Sequence, residues 1–254
     1  MVIATVRHSK VAQVYDKKKT FVSHLLQNHI PLMKKILVMI TLLALSVCTV
    51  QAQKKKKSDA PEERIVEITT EFGTIKVKLY NETPKHRDNF IKLASEGFYD
   101  SLLFHRIIKG FMIQGGDPES KTATPEKMLG GGDVGYLIPA EMNDSLYHKK
   151  GALCAARSQN PEKASSGCQF YIVQGRIFTD EELNSMEARM GTKFSAKQRN
   201  DYKTIGGTPQ LDKNYTVYGE VIEGLEVVDA IAAVKTRPGD RPEKDIRMSM
   251  KVIK

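Results

Sequence analysis

The stretch of the chain most suited to chemistry is residues 104–117, which read FHRIIKGFMIQGGD. It places one arginine, Arg106, among bulky apolar side chains, a glutamine and a pair of glycines. Neither a helix nor a plain strand face requires this mixture, since both are built on a regular apolar repeat. A guanidinium is always charged, planar and a multiple hydrogen-bond donor. We therefore expect this stretch to contribute to a functional site.

Two other kinds of site are disfavoured by the residue patterns. Glycines at 130–132 and 135 form a dense turn region, but they lack the Lys-Ser/Thr pair and the strand-to-helix setting of a phosphate cradle. The chain has no CxxC motif and no Cys/His cluster, which argues against a structural zinc. The sequence therefore predicts no metal and no cofactor.

The charge of the chain is concentrated at its beginning. The formal net charge is +9, but residues 1–52 hold seven Lys or Arg against one acid, and four lysines follow at 54–57. The remaining chain is close to neutral, so a nucleic-acid partner is not expected. The 41% hydrophobic and 27% charged residues are typical of a soluble globular protein.

Residues 33–52, MKKILVMITLLALSVCTVQA, have the layout of a secretory signal: two lysines, an apolar stretch and a small-residue cleavage site. The apolar stretch is shorter than the roughly 18 residues of a spanning helix. We predict that residues 1–52 are a leader whose biological start is Met33 and whose signal peptide, 33–52, is cleaved. We also predict export to a bacterial periplasm and no stable membrane span afterwards. A retained membrane anchor and lipidation at Cys48 are the alternatives.

After the leader, residues 53–63 (QKKKKSDAPEE) predict a lysine-rich flexible linker, and residues 64–254 form the predicted folded domain. Cleavage would leave two cysteines, Cys154 and Cys168. An oxidising compartment permits a disulfide between them, but two buried free thiols are the favoured interpretation.

The elements that must position the site are mostly short strands. Residues 64–70 and 74–80 alternate apolar with polar side chains and predict a hairpin. Residues 151–156 and 169–174 are short apolar runs typical of buried strands. Further strands are predicted at 215–221 and 247–253. Many short strands without a βαβ rhythm indicate an antiparallel barrel or sandwich.

The predicted helices are few and have clear start signals. Thr83 followed by a proline predicts a capped helix start. Thr179 with Glu182, and Ser195 with Gln198, form capping boxes that predict helices over 180–190 and 196–204. One more short helix is predicted at 225–233.

Four ordered blocks carry a resemblance to a known family: residues 104–117, GYLIPAE at 135–141, CQFYI at 168–172 and YGEVIEGLEVVDAI at 218–231. Together they resemble a cyclophilin-type peptidyl-prolyl cis/trans isomerase from about residue 64 to the C-terminus. The resemblance implies a mainly β fold, a closed eight-stranded antiparallel barrel capped by two helices, with an active groove on its outer surface. Residues 176–208 exceed the connection of a minimal cyclophilin, and we interpret them as a helical insertion beside the groove.

The resemblance also implies the site residues. Its catalytic arginine falls on Arg106, accompanied by Phe111 and Gln114. The implied substrate-binding residues are His105, Met112, Ala156, Arg157, Gln169, Tyr171, Leu211 and Tyr215. Of these, His105 is expected to be a structural hydrogen-bonding residue rather than an acid or base.

Three positions depart from the family's pattern. A tryptophan before Leu211 is replaced by Gln210, a pocket histidine by Tyr215, and a phenylalanine by Tyr171. The pocket is therefore expected to be more hydroxylated than is usual in the family.

The implied activity is rotamase activity on proline-containing unfolded or flexible polypeptides, a chaperone-like role in protein folding, with the protein acting as a monomer. A proline-peptide binding module that uses the same groove without catalysis is one alternative. A barrel that serves only as an assembly scaffold is another.

Overall fold

The computed structural model describes residues 64–254. The predictions for the leader 1–52, including the start at Met33 and lipidation at Cys48, and for the linker 53–63 lie outside these residues. Within residues 64–254, no helix is both long enough and apolar enough to cross a bilayer.

Ten strands make up the β structure of the described residues. In chain order they are β1 (Arg64–Thr70), β2 (Gly73–Leu79), β3 (Phe104–Ile108), β4 (Met112–Gly115), β5 (Leu137–Ile138), β6 (Ala152–Ala155), β7 (Ser165–Ser166), β8 (Phe170–Val173), β9 (Val217–Glu223) and β10 (Ser249–Val252). Eight of them form one antiparallel sheet in the order β10-β1-β2-β9-β6-β8-β4-β3, and β5 pairs with β7.

The large sheet curls until its two edges meet. The backbone N–H of Phe104 donates to the carbonyl of Ile246 at 3.0 Å, and that of Met248 donates to Leu102 at 2.9 Å. These bonds join the start of β3 to the segment before β10, so the edges are not left open to pair with another chain. The predicted eight-stranded antiparallel fold is confirmed.

Alternation in the first hairpin places one face of β1 and β2 inside the curled sheet. Val66, Ile68, Ile75, Val77 and Leu79 are all fully buried, as the alternating pattern predicts. The same core takes in aromatic side chains from elsewhere in the chain. Phe90 and Phe170, for example, meet edge to face with ring centroids 5.5 Å apart, a favourable arrangement for aromatic pairs.

Two helices pack on the sheet: α1 (Pro84–Ser95) against β9 and β10, and the last helix, Leu225–Ala232, against β2, β3 and β4. The start of α1 differs from the prediction. Thr83 is the N-cap residue but makes no side-chain cap bond. Instead the carboxylate of Glu141 accepts the backbone N–H groups of Lys85 and His86, each at 3.0 Å. A carboxylate also suits the positive end of the helix dipole.

The predicted insertion contains α2 (Asp180–Met190) and α3 (Ala196–Thr204), which makes Leu225–Ala232 helix α4. Both predicted capping boxes are present, at Thr179 and at Ser195. The two helices enclose a small apolar cluster of their own, formed by Tyr147, Phe178, Leu183, Met186, Phe194 and Tyr202. We call it the insertion cluster. The insertion therefore has a core distinct from that of the curled sheet.

Candidate active site

A groove of about 440 Å³ lies on the outer face of β3, β4 and β8. It is lined by Arg106, Phe111, Met112, Gln114, Leu129, Gly130, Ala156, Arg157, Tyr171, Leu211 and Tyr215. All the site residues implied by the sequence are in this lining except His105 and Gln169. Tertiary structure thus brings together residues that are far apart in the chain.

Strand register aligns the central residues of the groove. Arg106 of β3 lies opposite Gln114 of β4, and Gln114 lies opposite Tyr171 of β8. Directly opposed side chains on neighbouring strands are close enough to interact. Ile113, between the two outward residues of β4, is fully buried in the core. The period of two along the strand therefore sends Met112 and Gln114 to the groove and Ile113 inward.

His105 is not part of the groove lining. The register of β3 shifts between Phe104 and Arg106, and both Phe104 and His105 are buried. Neither ring nitrogen of His105 has a hydrogen-bond partner among residues 64–254. Burial lowers the pKa of His105 to about 4. The expectation of substrate contact and of a hydrogen-bonding role is therefore not supported by its position.

The guanidinium of Arg106 is held from two sides. Its Nε donates to Oδ2 of Asp240 at 3.3 Å, and its Nη1 donates to Oε1 of Gln114 at 3.4 Å. An arginine carries five N–H donors, so further donors remain for a substrate. Asp240 was not identified from the sequence, because it belongs to a turn far along the chain and has no motif of its own.

Gln169 supports the groove from beneath rather than lining it. Its Nε2 donates to the carbonyls of Gly132 and Gly130 at 2.7 and 3.0 Å, and its Oε1 accepts from Nε2 of Gln114 at 3.1 Å. The amide that the resemblance assigns to substrate binding is thus engaged by contacts within the protein. Gln169 does line a smaller cavity of about 210 Å³ that adjoins the groove.

The glycine segment 130–132, which we call the glycine wall of the groove, is held from its other side by Asp117. This fully buried carboxylate accepts from the backbone N–H groups of Gly130 and Glu119 at 2.5 and 2.8 Å. A Cβ on Gly132 would come within 2.1 Å of Oδ1 of Asp117, so only glycine fits there. The sequence pattern predicts a turn at these glycines, but nothing in it indicates that Leu129 and Gly130 face the site.

The apolar part of the groove is formed by Phe111, Met112, Tyr171 and Leu211. Met112 and Tyr171 are nearly fully buried and form the floor. The hydroxyl of Tyr171 does not enter the groove, because it lies 3.0 Å from Nε2 of His148 behind the floor. The expectation of a more hydroxylated pocket therefore does not hold at this position.

The far end of the groove carries a second arginine. The guanidinium of Arg157 lies 4.7 Å from the ring centroid of Tyr215, and its Nε donates to the carbonyl of Asn214 at 2.9 Å. The neighbouring residue Ala156 has its own backbone engaged: its N–H donates to the carbonyl of Gln169 and its carbonyl accepts from the N–H of Ser166. The strand end implied by the sequence is thus in place, with Ala156 already paired inside the protein.

Comparison with known proteins gives a consistent picture. A family model described as cyclophilin type peptidyl-prolyl cis-trans isomerase/CLD matches residues 65–252. The peptidyl-prolyl cis-trans isomerase CYP18-1 of Arabidopsis thaliana is 34% identical over 190 residues, which cover 74% of this chain and 94% of that protein.

A Streptococcus pyogenes protein, whose name combines a phosphatase with a peptidyl-prolyl cis-trans isomerase, is 37% identical over 184 residues. The match covers 71% of this chain but only 37% of that protein. A crystal structure of a Cryptosporidium parvum cyclophilin type peptidyl-prolyl cis-trans isomerase aligns with a TM-score of 0.57 at 24% identity. It covers 76% of this chain and 99% of that one, which supports the fold.

Proposed function

The chain belongs to the cyclophilin-type peptidyl-prolyl cis-trans isomerase family and is itself such an isomerase, and we propose that its groove around Arg106 acts on exported polypeptides while they fold. The observation that carries this proposal is the position of one oriented guanidinium directly beside an apolar pocket of a size that accepts a proline ring. The exported substrates are inferred from the signal-like leader at residues 33–52.

Rotation about an X-Pro bond has a barrier of roughly 18 to 20 kcal/mol because amide resonance must be broken in the twisted state. As resonance is lost, the prolyl nitrogen regains a lone pair that can accept a hydrogen bond. A donor fixed near that nitrogen binds the twisted state more strongly than either planar isomer, which is the requirement for catalysis. Arg106 supplies this donor, and Asp240 and Gln114 hold its guanidinium so that little reorganisation is needed.

The remaining groove residues hold the substrate. Phe111, Met112, Tyr171 and Leu211 surround the pyrrolidine ring with apolar surface while the preceding carbonyl swings. Gln114 is placed to contact the substrate backbone and at the same time to orient Arg106.

The far end of the groove supplies a contact for the rest of the peptide. Because the backbone of Ala156 is engaged within the protein, we assign the pairing with substrate backbone to Arg157. The reaction makes and breaks no covalent bond, so it requires a positioned donor and a shaped pocket rather than a nucleophile.

Isomerisation of a short X-Pro peptide, followed by NMR exchange, tests the site. Arg106→Ala is expected to lower kcat about 100-fold, the usual effect of removing one transition-state donor. Arg189→Ala removes an exposed arginine of α2 and is the control, with the wild-type rate expected. If Arg106→Ala and the wild type had equal rates, the groove would not be the catalytic site.

The proposed location is the periplasm, with a monomeric domain released by cleavage after residue 52 or retained at the membrane through lipidated Cys48. Cell fractionation of the full chain, with N-terminal sequencing of the product, separates these outcomes. An N-terminus at Gln53 supports release, and a lipid-modified Cys48 supports the membrane-attached form. A product found only in the cytoplasm with an intact leader would rule out export.

A further inference from the structure

Behind the floor of the groove lies a buried series of hydrogen-bonded side chains that ends in the insertion. The hydroxyl of Tyr171 lies 3.0 Å from Nε2 of His148, and Nδ1 of His148 lies 2.8 Å from Oδ1 of Asp212. The other carboxylate oxygen of Asp212 accepts from the hydroxyl of Tyr202 at 2.6 Å. His148 and Tyr202 are fully buried, and Tyr171 and Asp212 are 4% and 6% exposed. We call these four residues the buried relay.

Hydrogen-bond chemistry indicates which groups of the buried relay donate and which accept. A carboxylate only accepts hydrogen bonds, so Nδ1 of His148 must donate to Asp212. A ring that carries its single proton on Nδ1 accepts a hydrogen bond from the Tyr171 hydroxyl at Nε2. Asp212 also accepts the backbone N–H of His148 at 2.9 Å, so this buried carboxylate has three donors. A buried charge needs such partners, because an unpaired buried charge strongly destabilises the folded state.

The buried relay reaches the prolyl pocket at two points. Tyr171 is the floor of the pocket, and its ring is stacked on His148 with an interplanar angle of 13°. Asp212 directly follows Leu211, which forms a wall of the pocket. A shift of Asp212 would therefore loosen Leu211 through their shared backbone. It would also loosen Tyr171, because His148 would lose its hydrogen-bond partner.

Tyr202 is held rigidly at the insertion end of the buried relay. It belongs to α3, and its ring meets those of Phe194 and Tyr147 with centroids 5.5 and 5.8 Å apart. Its carbonyl accepts the backbone N–H of Phe178 at 3.0 Å. Because the insertion cluster surrounds this ring, the hydroxyl group of Tyr202 has a fixed position from which it holds Asp212.

We propose that Tyr202 is a positioning residue for the prolyl pocket, so that the insertion sets the shape of the isomerase site through Asp212 and His148. The proposal rests on the proposed function, since it takes the groove as the place where the proline ring binds. It gives the insertion a role in binding even the shortest X-Pro substrate, in addition to any contact it makes with larger ones.

Tyr202→Phe tests the proposal because it removes one hydroxyl and keeps the ring in the insertion cluster. The pocket walls hold the proline ring of the substrate equally well when the X-Pro bond is planar and when it is twisted. Loss of such uniform binding raises KM without lowering kcat. We expect KM for a short X-Pro peptide to rise about fivefold, with kcat changed less than about twofold.

The matched control is Tyr147→Phe. It removes a hydroxyl from the same insertion cluster, but that hydroxyl bonds to Asp201 and Lys197 rather than to Asp212. Its KM is expected to equal that of the wild type. Equal KM values for Tyr202→Phe and Tyr147→Phe would overturn the proposal, whether both rise or neither does.

A double-mutant cycle separates positioning from loss of stability. Tyr171→Phe cuts only the branch of the buried relay that runs through His148, so adding Tyr202→Phe to it should raise KM by a smaller factor than in the wild-type background, with the remainder acting through Leu211. Additive effects of the two changes would overturn the proposal. If Tyr202→Phe does not fold, Asp212→Asn replaces the carboxylate by a group of the same shape, and the same rise in KM is expected; an unchanged KM would overturn the proposal.

Arg106→Ala in the same assay distinguishes an error in the role of Tyr202 from an error in the proposed function of the groove. If it lowers kcat about 100-fold while Tyr202→Phe behaves as wild type, only the role of Tyr202 is wrong. If Arg106→Ala retains the wild-type rate, the groove is not the site, and both the proposed function and the role of Tyr202 are wrong.

Discussion

Arg106 and Gln114 lie directly opposite each other on β3 and β4, with Nη1 of the arginine 3.4 Å from Oε1 of the glutamine. The same amide donates through Nε2 to Gln169 at 3.1 Å, so its orientation is set from behind. Gln114 thus presents an oxygen to the guanidinium and connects it to the glycine wall of the groove. The neutral amide orients Arg106 without neutralising its charge.

Gln114→Glu should therefore slow catalysis. A carboxylate at this position would bind the guanidinium as a charge-assisted pair, which is roughly twice as strong as a neutral hydrogen bond. Donors engaged in this way are less available to the twisted X-Pro bond, and we expect kcat to fall about tenfold, a cost of about 1.4 kcal/mol. Peptide isomerisation at pH 7 measures the effect. A Gln114→Glu enzyme at least as fast as the wild type would contradict this account.

Gln169→Leu should destabilise the domain and weaken binding. It keeps the approximate volume but leaves the carbonyls of Gly130 and Gly132 without their amide donor. Gly132 is buried, and an unpaired buried polar group costs about 1 to 3 kcal/mol, so urea unfolding should show a loss of this size, accompanied by a higher KM. Gln210→Leu, at an exposed position, is the control, and its stability should stay within about 0.5 kcal/mol of wild type. Equal losses in the two variants would exclude the proposed support of the glycine wall.

His105 should make the domain less stable in acid. Burial lowers its pKa to about 4 in the folded protein, whereas the unfolded chain has the ordinary value of about 6.5. The unfolded state therefore binds more protons between these values, and stability falls as the pH drops from about 6.5 to about 4. The contribution lost is about 3 kcal/mol at roughly 1.36 kcal/mol per pKa unit.

His105→Leu removes this titration and leaves the other acid-sensitive groups in place. The free energy of unfolding of the variant should depend less steeply on pH than that of the wild type over this range. Chemical denaturation at several pH values between neutrality and the folded-state pKa measures both slopes. Parallel pH profiles would show that the buried imidazole does not drive the loss.

Cys154 and Cys168 should be unreactive in the native protein. Both are free and buried, as favoured from the sequence. Burial raises the pKa of Cys168 to about 12 and that of Cys154 well above its ordinary value, and the thiolate is the reactive form. Mass spectrometry after iodoacetamide treatment at pH 7 should find both thiols unlabelled until the protein is unfolded in guanidinium. Rapid native labelling, or a disulfide between the two, would contradict the structure.

Local patterns in the sequence were enough to predict the individual elements of this protein and, through four ordered blocks, its family. Alternation in residues 64–80 correctly predicted that Val66 and Val77 are buried, because the period of a strand is a property of adjacent residues. The capping boxes at Thr179 and Ser195 were predictable for the same reason, since each is formed within four consecutive residues.

Contacts between distant residues, which complete the site, became visible only in the folded chain. Asp240 orients Arg106, Glu141 replaces Thr83 as the cap of α1, and His148 reaches Asp212 behind the groove. These contacts depend on how the curled sheet and the insertion pack, whereas local patterns report only the spacing of neighbours along the chain. A hydrogen bond between distant residues leaves no periodic signal in the sequence, so the periodicity of the sequence could not predict these contacts.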